Sequence, residues 1–328
     1  MPTTQKILNG LDRILTLELV RVTERAAVAA ARWRGRGDEK AADQAAVDAM
    51  RKELNRLPVD GTVVIGEGER DEAPMLYIGE KIGLQNGLPI DIALDPLEGT
   101  TICAKNLPNS LAVVAIAEKG NLLYAPDVYM KKIAIGPGYP KGVVDIDASP
   151  TDNIHALAKA KGVVVNQITV CIMDRPRHEK LINEVRSTGA SIRLIGDGDV
   201  AAVIDTTDPD ETGIDIYMGI GGAPEGVLAS AALRCIGGQM QGCLLLDTDE
   251  KIARAAKMGI DNPHKVYTME EMAKGDVLFS ATGVTDGNIL SGVKFTSRYI
   301  QTETLVMRSH TGTIRNIKAQ HRDHSKFD

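Results

Sequence analysis

The 328-residue chain is predicted to be an α/β protein with parallel strands. Three repeats of one pattern carry that reading. Residues 168–173 (ITVCIM), 191–195 (SIRLI) and 214–218 (IDIYM) are short apolar runs, each followed by a polar loop and then a helical pattern. Strand–loop–helix units in series favour right-handed crossovers, and they bring all three polar loops to the carboxyl ends of the strands, where open α/β sheets bind ligands. Composition agrees: 43 % of residues are hydrophobic but only 3 % aromatic, so the core is built from Val, Ile, Leu, Ala and Met. Aromatic base-stacking platforms lose weight accordingly.

Charge narrows the partners. Forty-four acids against thirty-eight bases give −6, opposite to the footprint of a nucleic-acid binder. The segment 38–98 alone holds fourteen acids and six bases, so the whole excess lies there. The longest apolar runs, such as 111–117, fall far short of the roughly 18 residues that span a bilayer. The amino terminus, interrupted by Asp12, lacks the apolar stretch of a signal peptide. Four scattered cysteines with no C-x-x-C pair read as reduced, mostly buried thiols. A cytoplasmic protein with neither a membrane nor a nucleic-acid partner is expected.

In chain order, residues 40–57 read as a helix, with Val47, Met50, Leu54 and Leu57 on one stripe. Extending the stripe back by four reaches Asp43, a carboxylate that is costly to bury unless a cation or strong donors meet it. A β-branched strand at 62–65 then runs into Gly66-Glu67-Gly68-Glu69 and Asp71. Three carboxylates released at one strand end repel one another, and a hard divalent cation relieves that repulsion. Residues 90–95 (IDIALD) alternate as a half-buried strand ending in Asp95-Pro96-Leu97-Glu98-Gly99-Thr100. Pro96 holds a bend carrying Asp95 and Glu98, suited to Mg²⁺, while Gly99 and Thr100 offer N–H groups at a helix start.

In the second half, Arg175 and Arg177 flank Pro176, and guanidinium forks suit phosphate oxygens. Asp197 and Asp199, around Gly198, suit sugar hydroxyls. Glu225 follows Pro224, read as the first helical residue, and is a further candidate metal ligand. The six dispersed histidines read as ordinary surface or core residues, and Tyr129 taken alone reads as core. Two β-like runs around 309–313 predict a hairpin. The Gly-, Pro- and Asp-rich passage near 136–150 marks a boundary between a metal-bearing domain, 1–145, and a substrate-binding domain, 146–328, with added strands at its end.

D-P-L-E-G-T at 95–100 resembles the metal-binding signature of the lithium-sensitive sugar-phosphatase superfamily, which includes fructose-1,6-bisphosphatases and inositol monophosphatases. GRGD, VIGEGERDEAPMLYIGE, APDVYMKK, DRPRH, GDGDVAA, GIGGAPEGV and FSATGVTDG look in particular like the GlpX-type, class II fructose-1,6-bisphosphatase, from about Leu17 to His321. The resemblance implies a layered αβαβα fold of two mixed-sheet halves with the site between them. It implies hydrolysis of the 1-phosphate of fructose 1,6-bisphosphate with Mg²⁺ or Mn²⁺, by a homodimer or homotetramer. As metal ligands it implies Asp43, Glu67, Asp95, the Leu97 carbonyl, Glu98 and Glu225. Thr100 would orient the water or phosphoryl group, Glu67 would share in catalysis, and Asp71 would accept the proton, with Glu69 close in sequence as the alternative. The resemblance assigns the substrate to Glu98, Gly99, Thr100, Tyr129, Arg175, Pro176, Arg177, Asp197, Gly198, Asp199 and Gly222. Two departures stand out: Glu39, with Lys40 after it, occupies the usual lysine position behind GRGD, and 104–110 (AKNLPNS) lacks a glycine common in relatives. Sedoheptulose 1,7-bisphosphate is the nearest alternative substrate. An inositol phosphate fits the second-half motifs less well, and a non-catalytic sugar-phosphate-binding regulator would have lost carboxylates that are present here.

Overall fold

The computed structural model describes residue 11 and residues 13–68 and 75–328. The elements in order are α1 (Arg13–Ala31), α2 (Glu39–Leu54), β1 (Val59–Ile65), β2 (Lys81–Ile82), β3 (Leu88–Glu98), α3 (Thr100–Lys105), β4 (Leu111–Glu118) and β5 (Tyr129–Ile135). There follow α4 (Pro150–Lys161), β6 (Thr169–Met173), α5 (Glu179–Ser187), β7 (Ser191–Ile195), α6 (Asp199–Asp205), α7 (Pro209–Thr212), β8 (Ile216–Gly222) and α8 (Ala223–Ile236). The chain ends with β9 (Gln239–Leu244), α9 (Asp249–Lys257), β10 (Val266–Thr268), α10 (Met269–Met272), β11 (Val277–Gly283), β12 (Lys294–Phe295), β13 (Ile300–Arg308) and β14 (Thr313–His321).

Among the described residues the strands form two mixed sheets. One has eight strands in the order β12-β13-β11-β4-β3-β1-β2, with β14 pairing β13, and the other has six in the order β10-β9-β5-β8-β6-β7. Three apolar clusters set the layers. Leu19, Ala26, Ala46 and Met50 of α1 and α2 pack with Ile92, Leu94, Val114 and Ile116 on the outer face of the larger sheet. Val200, Val227 and Leu228 of α6 and α8 join Ala93, Val113 and Ala115 to Met130, Ala134 and Tyr217 in the middle. Ile154 and Leu157 of α4 and Val185 of α5 cover the outer face of the smaller sheet with Ile133, Ile172 and Met218. The outcome is the expected αβαβα order.

The three sequential units behave as expected, because β6 pairs in parallel with both β7 and β8. The hairpin expected around 309–313 is β13 and β14, joined by a single 3₁₀ turn. Cys103, Cys171 and Cys235 are buried free thiols, and burial raises their pKa values to about 11, 12 and 12. Among the described residues no helix is long and apolar enough to cross a membrane.

Three readings change. β3 is buried on both faces, because α1 and α2 cover one and the middle helices cover the side that carries Asp91 and Asp95. Buried Asp91 compensates by accepting from the Gly120 and Leu122 amides at 2.7 and 3.3 Å. β8 runs on through the glycines to Gly222, and Pro224 is the second residue of α8. The helix at 40–57 closes at Leu54, although Leu57 remains buried. β5 belongs to the second sheet, and β11–β14 return to the first.

Candidate active site

The site lies between the two sheets, at the carboxyl ends of β1, β3, β6 and β8. β1 and β3 are parallel with Ile65 opposite Ala93, so Glu67 leaves one strand beside Asp95 on the other. Pro96 has no N–H to give to β4, and the register with β4 shifts between Asp95 and Glu98. The Leu97 amide donates to Asp95 Oδ1 at 3.0 Å, which closes the bend. Gly99 follows in the left-handed region, at φ 79°, and caps α3, where Thr100 is the first residue.

Carboxylate oxygens of Asp95, Glu98 and Glu225 lie within 4.8 Å of one another. Glu225 arrives from the first turn of α8, and Glu98 Oε1 accepts from the Val200 amide of α6 at 2.9 Å. Asp43, half-buried in α2, and Glu67 line the same 410 Å³ chamber together with Thr100. Burial is the largest cause of raised pKa values in all five acids, pushing Asp95 to about 7 and Glu225 to about 8. Mutual repulsion adds to it: Asp95, Asp43 and Glu225 raise Glu67, and Asp95, Asp199 and Glu225 raise Glu98. Glu225 Oε2 is buried with no hydrogen-bond partner. An orphaned carboxylate oxygen among four other carboxylates fits a hard divalent cation, which takes oxygen ligands and offsets that repulsion.

A second 410 Å³ chamber adjoins the first and shares Glu98, Asp127, Asp197 and Glu225 with it. Three cations, Arg175, Arg177 and Lys251, also line it. Arg177 stacks over the Tyr129 ring at 4.7 Å, and its Nε and Nη2 donate to the Ile220 carbonyl at 3.1 and 2.7 Å. Tyr129 is 51 % exposed, so it is a wall of this chamber and not core. Pro176 opens the 3₁₀ turn between the two arginines. Asp197 is half-buried, and desolvation raises its pKa. Gly198 caps α6 in the left-handed region, while Gly222 ends β8.

Asp71 and its neighbour Glu69 lie outside the described residues. Lys40 is exposed near the start of α2, whose N-cap is Asp38 of GRGD. The missing glycine in AKNLPNS is compensated by Asn106 and Asn109, which take left-handed φ values of 54° and 80°.

Three residues escaped the sequence reading as parts of the site. Lys132 of β5 is buried against Asp199, and Tyr217 of β8 donates to the same Asp199 oxygen, Oδ2, at 3.3 Å. His178 is buried and bridges two elements: Nδ1 contacts the Met173 carbonyl at 2.7 Å and Nε2 accepts from the Ile220 amide at 2.8 Å. Burial lowers the His178 pKa, so a neutral ring pins the arginine loop to β8. A signal for Lys132 exists in the strand period, because it shares the inward face with Met130 and Ala134.

A model of the bacterial, glpX-encoded fructose-1,6-bisphosphatases matches residues 13–321. A protein of Synechococcus sp. (strain JA-3-3Ab), named D-fructose 1,6-bisphosphatase class 2/sedoheptulose 1,7-bisphosphatase, is 46 % identical over 95 % of this chain and 96 % of its own. A Trichodesmium erythraeum protein of the same name is 44 % identical over 95 % and 97 %. Among solved structures, the extragenic suppressor protein SuhB of Bartonella henselae overlaps 60 % of this chain and 74 % of its own at TM-score 0.35 and 14 % identity, too loosely to argue from. The site's geometry and these likenesses converge: the chain belongs to the family of bacterial, glpX-encoded fructose-1,6-bisphosphatases.

Proposed function

We propose that the protein hydrolyses the 1-phosphate of fructose 1,6-bisphosphate, giving fructose 6-phosphate and phosphate. One observation carries this reading: a cluster of largely buried carboxylates and three cations, Arg175, Arg177 and Lys251, line adjoining chambers of one cleft. Such a cleft suits a small molecule with an anion at each end. Asp43, Glu67, Asp95, Glu98, Glu225 and the Leu97 carbonyl would hold Mg²⁺ or Mn²⁺. When bound, the cation offsets phosphoryl charge and lowers the pKa of an attacking water.

The chain's own groups do the rest. Gly99 and Thr100 present N–H groups and a hydroxyl at the start of α3 to orient the reacting phosphate. Asp71 takes the proton from the nucleophile, with Glu69, two residues before it, as the alternative acceptor and Glu67 sharing in catalysis. Arg175 and Arg177 grip the distal phosphate, with Tyr129 under the guanidinium and Pro176 stiffening the loop. Asp197 and Asp199 accept from sugar hydroxyls, and Gly198 and Gly222 let the sugar approach the backbone. We place the enzyme in the cytoplasm as a homodimer or homotetramer.

Sedoheptulose 1,7-bisphosphate is a second reading, favoured by the double name of the cyanobacterial relatives. It is one hydroxymethylene longer, and sequence motifs do not separate the two. The test is phosphate release from both bisphosphates, with and without chelator, and identification of the monophosphate formed. Fructose 6-phosphate formed only with added metal is the expected result, and no turnover of either substrate overturns the proposal.

A further inference from the structure

Lys132 and Asp199 make a buried ion pair inside the cleft wall. They are only 2 % and 4 % exposed, and they come from β5 and the first residue of α6. Lys132 Nζ also donates to the Gly222 carbonyl at 2.9 Å. The Tyr217 hydroxyl, fully buried, adds a second donor to Asp199 Oδ2. The backbone is cut to fit this arrangement. A Cβ on Gly221 would lie 2.0 Å from Asp199 Oδ2 and 2.9 Å from Lys132 Nζ, and one on Gly226 would lie 3.3 Å from Lys132 Cδ.

Three carboxylates, Glu98, Asp199 and Glu225, act on one another here, and Lys132 is the cation that opposes them at Glu225. A carboxylate so placed turns away from its neighbours unless something holds it. Both donors bind the same oxygen, Oδ2, which leaves Oδ1 without a protein partner among the described residues while Asp199 lines the substrate chamber.

We propose that Lys132 and Tyr217 are positioning residues for sugar recognition: they fix Asp199 and the Gly222 backbone so that one carboxylate oxygen is presented to a hydroxyl of the sugar bisphosphate. This rests on the reading of Asp199 as a sugar contact. A device for the metal ligands would instead act through Glu98 and Glu225, and it would show in metal dependence, not in substrate affinity.

The test is steady-state phosphate release from fructose 1,6-bisphosphate by the full chain at saturating Mg²⁺ or Mn²⁺, with KM and kcat separated. Variants are Asp199→Asn, Lys132→Met, the double variant and Tyr217→Phe, each checked by thermal melting. Asp199→Asn and Lys132→Met are expected to raise KM by about tenfold or more, with a smaller fall in kcat. The double variant is expected to be no worse than the more impaired single one, because both changes remove one interaction. Tyr217→Phe should move KM the same way by roughly two- to fivefold, and the metal concentration for half activation should stay within about twofold in all. If Lys132→Met does not fold, Tyr217→Phe with and without Asp199→Asn carries the same comparison. Unchanged KM in Lys132→Met beside a raised KM in Asp199→Asn overturns the positioning role alone. Unchanged KM in Asp199→Asn removes the sugar contact beneath it, and independent effects or a shifted metal midpoint also overturn the proposal.

Discussion

Gly222→Ala sets a single methyl group against the metal cluster. Gly222 has ordinary extended backbone, φ −65° and ψ 146°, so alanine strains nothing locally. Its Cβ, however, would stand 1.9 Å from Glu225 Oε2 and 2.7 Å from Glu225 Cδ. Carbon–oxygen contacts settle at about 3.3 Å, so the carboxylate must retreat by about 1.4 Å. That is about two thirds of a Mg–O bond length of about 2.1 Å, enough to take this oxygen out of reach of a hard divalent cation held by the other carboxylates. Misplacement on this scale costs on the order of 100-fold in rate. The stability cost is small, because the displaced atoms end a flexible side chain. The assay is phosphate release against metal concentration, paired with thermal melting without metal. A variant with a near-native melting temperature, weakened metal activation and kcat/KM down by about 100-fold is expected. A metal-activation curve and turnover within about twofold of the parent would refute Glu225 as a ligand and the argument built on its orphaned oxygen.

Other consequences follow from the same geometry. Arg177→Met keeps the stem but removes the guanidinium stacked on Tyr129, and it should raise KM by about tenfold or more while kcat falls less, as initial rates will show. Burial holds Glu225 at about 8 in the folded chain against an ordinary 4.5, so over that window the native state binds more protons than the unfolded one. Stability contributed at Glu225 is therefore present at low pH and lost as pH rises through about 8, and metal-free Glu225→Gln should gain melting temperature relative to the parent from about pH 5 to 8. A difference that stays flat or shrinks across that window counts against the buried cluster. By the same linkage the metal midpoint of the parent should tighten as pH rises, since each cation displaces protons.

Much of this site was legible because its groups sit at punctuated strand ends. Pro96 and Gly99 fix a bend whatever surrounds them, so Asp95, Glu98 and Thr100 could be placed from their own neighbours. The loops at 174–178 and 196–199 and the start of α8 followed from three repeats of one pattern, and their common edge follows from parallel pairing of β6 with β7 and β8. Lys132, Tyr217 and His178 were hidden for the opposite reason. Each acts through a partner brought close only by long-range pairing, as when β5 lies antiparallel to β8 with Tyr129 opposite Gly222. Local composition marks a turn near 136–150 but cannot say which sheet the next strand joins. Burial of β3 on both faces depends on α8, more than a hundred residues away, filling the layer between the sheets.

The central claim is that the carboxylates at the end of β3 would hold the metal on which hydrolysis depends. The most direct measurement is phosphate release from fructose 1,6-bisphosphate by the parent and by Asp95→Asn, titrated with Mn²⁺ or Mg²⁺ after chelator treatment. The account predicts a parent silent under chelator and restored by metal, beside a variant that melts like the parent and releases no phosphate at any metal concentration. Chelator-resistant turnover, or an Asp95→Asn variant as active as the parent, would contradict it.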